Sequence, residues 1–488
     1  MASTRRQFLT KSLIGAGAIT FAPGRKILGA NDDIRLGIIG LGSNVKIGGK
    51  GRMDLRAFLK IGGVRIVALC DPDRDLLSSE AGKCAELGHK VKTYTDVRRM
   101  LDDRDIDAVS IATPNHWHAL GTIWACQAGK DVYVQKPASH TLYEGRKMVE
   151  AARKYNRVVY SASLVRSASG MPDAFKWARQ GNLGKVLYAR GLNYRPRKSI
   201  GKVAGPQKIP SHIDYDLWCG PSPKTPLMRQ NLHYDWHWDF RYGNGDLGNM
   251  GIHYLDACRM AIDQPALPER VLSIGGRVGY DDDGNTPNTM ITYYDYKPAP
   301  IIFEVRALPK NKAAQATENW YGNMDRYRGV GVGIVLHCEN GYIAQNKAFD
   351  NDGNLIKEFK PTYKNGKANF LDVMRSRRVS DLQGDILDGH LSASLIHTAN
   401  ISYKCGSLAD PRQLQSAASI STEMKDAYNR FAAHLEANEI DIEKAPIKLG
   451  APLNINTKTE RFIGPMSKTA NMLISKNYRK GFEVKENV

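Results

Sequence analysis

From residue 34 onward, short β-branched and apolar runs alternate with stretches of helical pattern: IRLGIIG, VRIVALCD, IDAVSIAT, DVYVQKP and RVVYSAS follow one another along the first third of the chain. Strands that alternate with helices predict a parallel sheet wound by right-handed crossovers. After residue 160 the pattern changes to strands, turns and an aromatic-rich segment, which predicts a domain boundary there. The chain has 488 residues, 42% hydrophobic and 24% charged, enough for two domains with their own cores.

Ahead of the first strand, STRRQFLTKSLIGAGAITFAPG places Arg5 and Arg6 before a short apolar segment rich in Gly and Ala. Residues 1–30 resemble a twin-arginine export signal, with cleavage expected before Asn31. The apolar run is too short for a membrane span, so no stable anchor is expected after cleavage. That route carries folded proteins, and it suits one that loads a cofactor in the cytoplasm before reaching the periplasm. The formal charge of +19 includes the basic residues of this segment, and no basic stripe with stacking aromatics accompanies it, so no nucleic-acid partner is expected. The seven cysteines are odd in number, widely spread and never form a CxxC pair, so neither a disulfide framework nor a zinc site is suggested.

Candidate chemistry gathers at the ends of the predicted strands. The first ends in Gly40, Leu41 and Gly42, where glycines permit a tight turn and let backbone amides approach a pyrophosphate at a helix N-terminus. A third glycine of the GxGxxG pattern is absent, Val45 standing in its place within an enlarged loop. The second strand ends at Asp71, a carboxylate suited to ribose hydroxyls and repelling a 2′-phosphate, which points to NAD rather than NADP. IATPNHWHA then brings Thr113, Asn115, His116 and His118 to the carboxyl end of a strand, where α/β sheets bind ligands.

This ordered set resembles the Gfo/Idh/MocA oxidoreductases from about residue 33 to the C-terminus. The resemblance implies an α/β chain with an N-terminal Rossmann dinucleotide-binding domain at 31–160. It also implies an α+β substrate and oligomerisation domain at 161–445, built on a large, mostly antiparallel sheet, and a tail at 446–488 that packs on the second domain. Within it VYVQKPAS is similar to the family's EKP motif, with Gln135 in place of glutamate. Lys136 is thereby implied to reach the nicotinamide and the substrate, with Pro137 turning the chain. The implied NAD-binding set is Gly40, Leu41, Gly42, Asp71, Thr113, Asn115, His118, Gln135 and Lys136.

Residues 211–256 are the densest in chemistry, with NLHYDWHWDFRYGNGDLGNMGIHYLD at their core. Aromatic planes beside carboxylates, histidines and amides suit a carbohydrate, whose apolar faces stack while its hydroxyls need directed partners. GDLGNMGIHYLD is similar to the family's D-x-x-x-H segment, with His253 as the histidine and Asn249 at the aspartate position. At i and i+4 of a helix the two are expected to face Lys136 together, with His253 as acid/base and Lys136 sharing the proton. Arg195, Trp236, His237, Asp239, Asn249, His253 and His390 are the expected substrate contacts, and Arg197 and Arg241 are further candidates for a carboxylate clamp. No catalytic metal is expected. Three functions stay open: an exported NAD-dependent oxidoreductase of a sugar, sugar acid or cyclitol with tightly held cofactor; redox-neutral, NAD-dependent glycoside cleavage; and a carbohydrate-binding protein that keeps the fold without catalysis. A homodimer or homotetramer is expected from the resemblance.

Overall fold

The computed structural model describes residues 33–43, 48–167 and 169–488. Residues 1–30, expected to be an export signal, and Val45 lie outside the described residues.

Six strands, β1 (Ile34–Ile39), β2 (Val64–Cys70), β3 (Lys92–Tyr94), β4 (Ala108–Ile111), β5 (Asp131–Val134) and β6 (Val159–Ser161), form a sheet in the order 3-2-1-4-5-6. Every neighbouring pair is parallel, as the alternating pattern predicts. β4 and β5 are buried at every position, because crossover helices cover both faces of such a sheet. Among those helices, α1 (Lys50–Ile61) lays Phe58 edge-on against Tyr133 of β5, with ring centroids 5.4 Å apart. α2 (Asn115–Gln127) is apolar around nearly its whole circumference and correspondingly buried. α3 (Leu142–Lys154) opens on a reciprocal capping box between Thr141 and Glu144.

The second sheet contains β7 (Val186–Tyr194), β8 (Arg270–Gly276), β9 (Thr289–Asp295), β10 (Ile301–Arg306), β11 (Val332–Cys338), β12 (Gly341–Ala344), β13 (Lys347–Phe349), β14 (Leu355–Glu358), β15 (Ser407–Leu408) and β16 (Lys448–Leu449). They run in the order 14-13-12-11-7-10-9-8-16-15, and β17 (Leu453–Asn456), paired with β18 (Arg461–Ile463), joins along β8. Only β7 and β10 pair in parallel; the other pairs are antiparallel. α4 (Ile252–Ala261) packs on β7, and α5 (Ile386–Lys404) packs on β8 and also on α3 of the first domain, tying the two domains together.

The C-terminal tail departs from its expected place. β16 to β18 extend the second sheet, but the last residues cross onto the nucleotide domain. Phe482 meets Trp117 edge-on at 5.7 Å, and Val484 and Val488 join the same core. Lys147 of α3 reaches Glu486 at 3.2 Å. The reason is the outer face of α2: Trp117 and Trp124 stand there, and the tail supplies the apolar cover they need.

Candidate functional site

The order of the first sheet reverses between β1 and β4, and the carboxyl ends of these strands open onto a cleft of about 430 Å³ that both domains line. β1 runs into Gly40 and Gly42, whose φ values of +84° and +109° fall in the left-handed region that glycine adopts without strain. A Cβ at Gly40 would lie 2.7 Å from the Thr113 backbone nitrogen, and one at Gly51 only 1.8 Å from the Gly40 carbonyl oxygen. The turn, the start of α1 and the end of β4 are therefore in direct backbone contact. α1 begins after Gly49 with no capping side chain and no acidic residue in its first turn, and Gly48, Gly49 and Lys50 line the cleft. Its positive dipole end is left available to an anion.

Asp71 ends β2 at the cleft wall. Its carboxylate accepts the Leu41 N–H at 2.7 Å and the Asp73 N–H at 3.0 Å, and burial pushes its pKa up to about 6. Leu41 contributes this backbone contact while its side chain is buried away from the cleft. Thr113 lines the cleft with a buried Oγ1 that has no hydrogen-bond partner among the described residues, an orphaned polar atom that a nucleotide hydroxyl or amide would satisfy. Turn, helix end, carboxylate and orphaned hydroxyl together fit a dinucleotide.

Asn115, His118, Gln135 and Lys136 line the same cleft. The His118 ring nitrogens sit 2.7 Å from the Pro137 carbonyl and 2.9 Å from that of Thr113, bracing the end of β4 against the Lys-Pro pair. Burial holds this imidazole down to about 4, hence neutral. The Gln135 amide donates to Asp54 at 2.6 Å, and the Asp54 carboxylate also receives Lys50 and Lys367 at 3.0 and 2.9 Å. Gln135 is thus committed to α1 rather than to Lys136.

Lys136, joined to Pro137 by a cis peptide bond, donates from Nζ to the Asn249 backbone carbonyl and, at 3.2 Å, to its side-chain Oδ1. Burial, reinforced by the positive charges of Arg197, Lys50 and Arg195, lowers its ammonium to about 7. Asn249 belongs to a π-helical turn, Leu247–Gly251, that feeds into α4. The expectation of one regular α-helix carrying Asn249 and His253 side by side is therefore corrected: the widened turn gives Asn249 to Lys136. His253 is buried behind the cleft lining, where its Nδ1 accepts the Leu164 N–H at 3.4 Å. Burial and the nearby Lys136 hold its imidazole well below its ordinary value, so it is neutral.

On the opposite wall Arg195, Trp236 and His237 line the cleft. The His237 ring stacks on Trp236 with centroids 3.7 Å apart, and its Nδ1 lies 2.6 Å from the Tyr234 carbonyl. Arg195 lies over Tyr321 at 5.5 Å and has a buried Nε with no partner among the described residues. Two expected substrate contacts are not brought to the cleft. Asp239 is buried and grips Arg241 at 2.7 and 2.9 Å, because a carboxylate out of water takes the nearest guanidinium. His390 is enclosed within α5, 2.9 Å from a Glu460 carboxylate oxygen, and does not reach the cleft. Arg197 likewise is engaged, by Asp246 at 2.8 Å. Sequence reasoning missed Tyr234 and His233, which line the cleft, His233 lying 3.0 Å from Asp73. Both belong to the aromatic run already singled out, which was the available signal. Among the described residues no cluster of three or more His, Cys, Asp or Glu could hold a metal ion, and no helix is long and apolar enough to cross a membrane.

Residues 34–163 match a family model described as oxidoreductase family, NAD-binding Rossmann fold, and residues 184–296 match that family's C-terminal alpha/beta domain. A levoglucosan dehydrogenase from Pseudarthrobacter phenanthrenivorans is 27% identical over 296 residues, 58% of this chain and 64% of the relative. A glycosyl hydrolase family 109 protein from Saccharopolyspora erythraea is 28% identical over 179 residues, 35% of this chain and 38% of the relative. The chain thus spans less than two thirds of the length of either. Among solved structures, the WlbA dehydrogenase from Bordetella pertussis, in complex with NADH and UDP-GlcNAcA, superposes with a TM-score of 0.53 at 18% identity, covering 76% of this chain and 96% of that one. The aldose-aldose oxidoreductase from Caulobacter crescentus gives 0.52 at 18% identity, covering 75% and 98%. At these identities the two structures share the fold.

Proposed function

The chain belongs to the Gfo/Idh/MocA oxidoreductase family and carries its NAD-binding domain, and from that premise we propose that it transfers hydride between tightly held NAD and a hydroxyl-bearing carbon of a sugar, sugar acid or cyclitol. The observation that carries this reading is the position of Lys136: it lines the cleft that the Gly40–Gly42 turn and Asp71 also line, and its ammonium is lowered to about 7. Bound NAD supplies the hydride chemistry. Lys136 holds or takes the hydroxyl proton, and the two Asn249 oxygens fix Nζ in place. Neutral His253, behind Lys136, positions the wall rather than acting as the first base. The stacked Trp236 and His237 offer a plane to the apolar face of a sugar ring, and Arg195 has an N–H to spare.

Similarity to the levoglucosan dehydrogenase supports a carbohydrate substrate. Similarity to glycosyl hydrolase family 109 proteins favours a second reading, redox-neutral glycoside cleavage by oxidation at C3, elimination, hydration and re-reduction. Export through residues 1–30 to the periplasm, where no dependable pool of free NAD exists, fits either a redox-neutral cycle or a coupled pair of sugar substrates.

The deciding experiment denatures washed, folded protein and quantifies NAD and NADH per chain by mass spectrometry, then follows a turnover in D2O. Near-stoichiometric nucleotide with no deuterium at C2 of the product supports sugar oxidoreduction. Deuterium at C2 supports the elimination route. Absence of nucleotide, with no uptake of added NAD, overturns both in favour of a binding protein.

A further inference from the structure

A second cavity, of about 420 Å³, lies outside the NAD cleft and shares no lining residue with it. It is enclosed by the C-terminal half of α5, the loop through Phe240 and Asn244, the start of α3 with His140, and the tail through Lys476. The volume falls in the range of small-molecule pockets, roughly 300–1,000 Å³.

Its lining has an unusual balance. No carboxylate faces it, yet Arg241, Lys404 and Lys476 do. Two of these charges are already balanced: Arg241 by its forked contact with Asp239, and Lys476 by Glu144 at 2.8 Å. Lys404 has no ion pair or hydrogen bond among the described residues; the residue is exposed, but its Nζ lies 3.9 Å over the Phe240 ring, and burial, opposed by the charge of Asp239, lowers its ammonium to about 8. One positive charge is therefore left for a ligand.

Deeper in, two amides are buried and incomplete. Asn244 is 5% exposed, and its Nδ2 has no acceptor; Asn400 is 4% exposed, and its Oδ1 has no donor. An unpaired buried donor beside an unpaired buried acceptor is costly, on the order of 1–3 kcal/mol for each group, and a hydroxyl, which both donates and accepts, relieves both. His140 and His397 also line the wall, neutral because burial holds both imidazoles well below their ordinary values; the His140 ring nitrogens meet the Gly243 carbonyl and Lys476, and His397 Nε2 meets Ser139.

From these observations we propose that this cavity is a second binding site, for a small hydroxylated monoanion of the sugar-acid class, with its carboxylate on Lys404 and its hydroxyls on Asn244 and Asn400. Phe240 and the apolar side chains of Ile401 and Met472 would cover the ring or chain of such a ligand. The site stands apart from the redox chemistry and does not depend on it.

The test is calorimetric titration of the full chain with D-glucuronate. To recognise a contribution from the cleft, the titration is run in parallel on the wild type and on Lys136→Met. Binding is expected in both, weakened about tenfold or more in Lys404→Met and recovered in Lys404→Arg, because a charge-assisted hydrogen bond is lost and regained. Lys404 is exposed, so both variants should keep the wild-type thermal midpoint, which circular dichroism checks. D-glucose, without the charge, and acetate, without the hydroxyls, should each bind more weakly than D-glucuronate. Unchanged affinity in Lys404→Met, acetate binding as tightly as D-glucuronate, or no heat from D-glucuronate with Lys136→Met would each overturn the proposal.

Discussion

On the proposed function Lys136 handles the substrate proton, and its pKa, lowered to about 7, has two consequences of opposite sign. As pH rises through about 7 the ammonium loses its proton and becomes able to accept one, so kcat/KM for alcohol oxidation should rise through that window, while the reductive direction falls. Between about 7 and the ordinary lysine value near 10.5 the unfolded chain binds the extra proton and the folded one does not. Lys136 therefore burdens the fold below about pH 7 and ceases to do so as pH climbs towards the ordinary value. Lys136→Met should abolish turnover, by at least about a hundredfold, yet raise the melting temperature of the nucleotide-free protein at neutral pH. A variant that keeps its turnover would remove Lys136 from the mechanism. Asp71 gives a second residue-level outcome. Asp71→Asn removes the cleft-lining carboxylate expected to receive the ribose hydroxyls, so NAD affinity should drop about tenfold and the preference over NADP should narrow, as nucleotide titration would show. Unchanged affinity would reduce Asp71 to a brace for Leu41.

At the scale of elements, the nucleotide site depends on how closely α1 sits on the turn after β1. Gly51 lies in the first turn of α1, where by helix propensity alone an alanine would stabilise by about 1 kcal/mol. The close approach works the other way: a Cβ there meets the Gly40 carbonyl at 1.8 Å, too near for any side-chain adjustment to relieve. Overpacking of this kind costs about 1–3 kcal/mol, so it outweighs the propensity gain. Gly51→Ala should lower stability in urea and weaken NAD binding by about tenfold or more, because the turn has to shift. A more stable variant with normal NAD binding would contradict this packing. The π-helical turn at Leu247–Gly251 matters in the same way, since the Asn249 carbonyl is freed for Lys136 by a local widening of the helix.

At the scale of the whole molecule, α5 and the C-terminal tail join what the chain pattern separates into two domains. α5 packs on α3 and β8 together, and Phe482 closes the tryptophan face of α2. Phe482 is 5% exposed, so Phe482→Ala should cost about 3 kcal/mol and leave the second sheet intact. Hydrogen exchange should report the loss as faster opening of α2 and α3, with β7 to β11 unchanged. Uniform loosening of both domains would show instead that the tail supports the entire fold.

The parallel sheet and the strand-end positions of Gly40, Gly42, Asp71 and Lys136 were legible in the sequence, because period-two and helical patterns are local and a crossover sheet must present its carboxyl ends together. The aromatic-rich segment within 211–256 was legible as well, and Trp236 and His237 from it line the cleft. Local pattern could not tell which buried polar side chains face the cleft and which satisfy one another. Asp239 turned to Arg241, His390 to Glu460, and Gln135 to Asp54, through partners 2, 70 and 81 positions away. Nor could it show the π-helical turn that separates Asn249 from His253, or the tail crossing to α2. Those outcomes follow from a global requirement: once the two sheets are packed, each buried charge and each apolar face must find a partner, and only the assembled structure determines which partner is within reach.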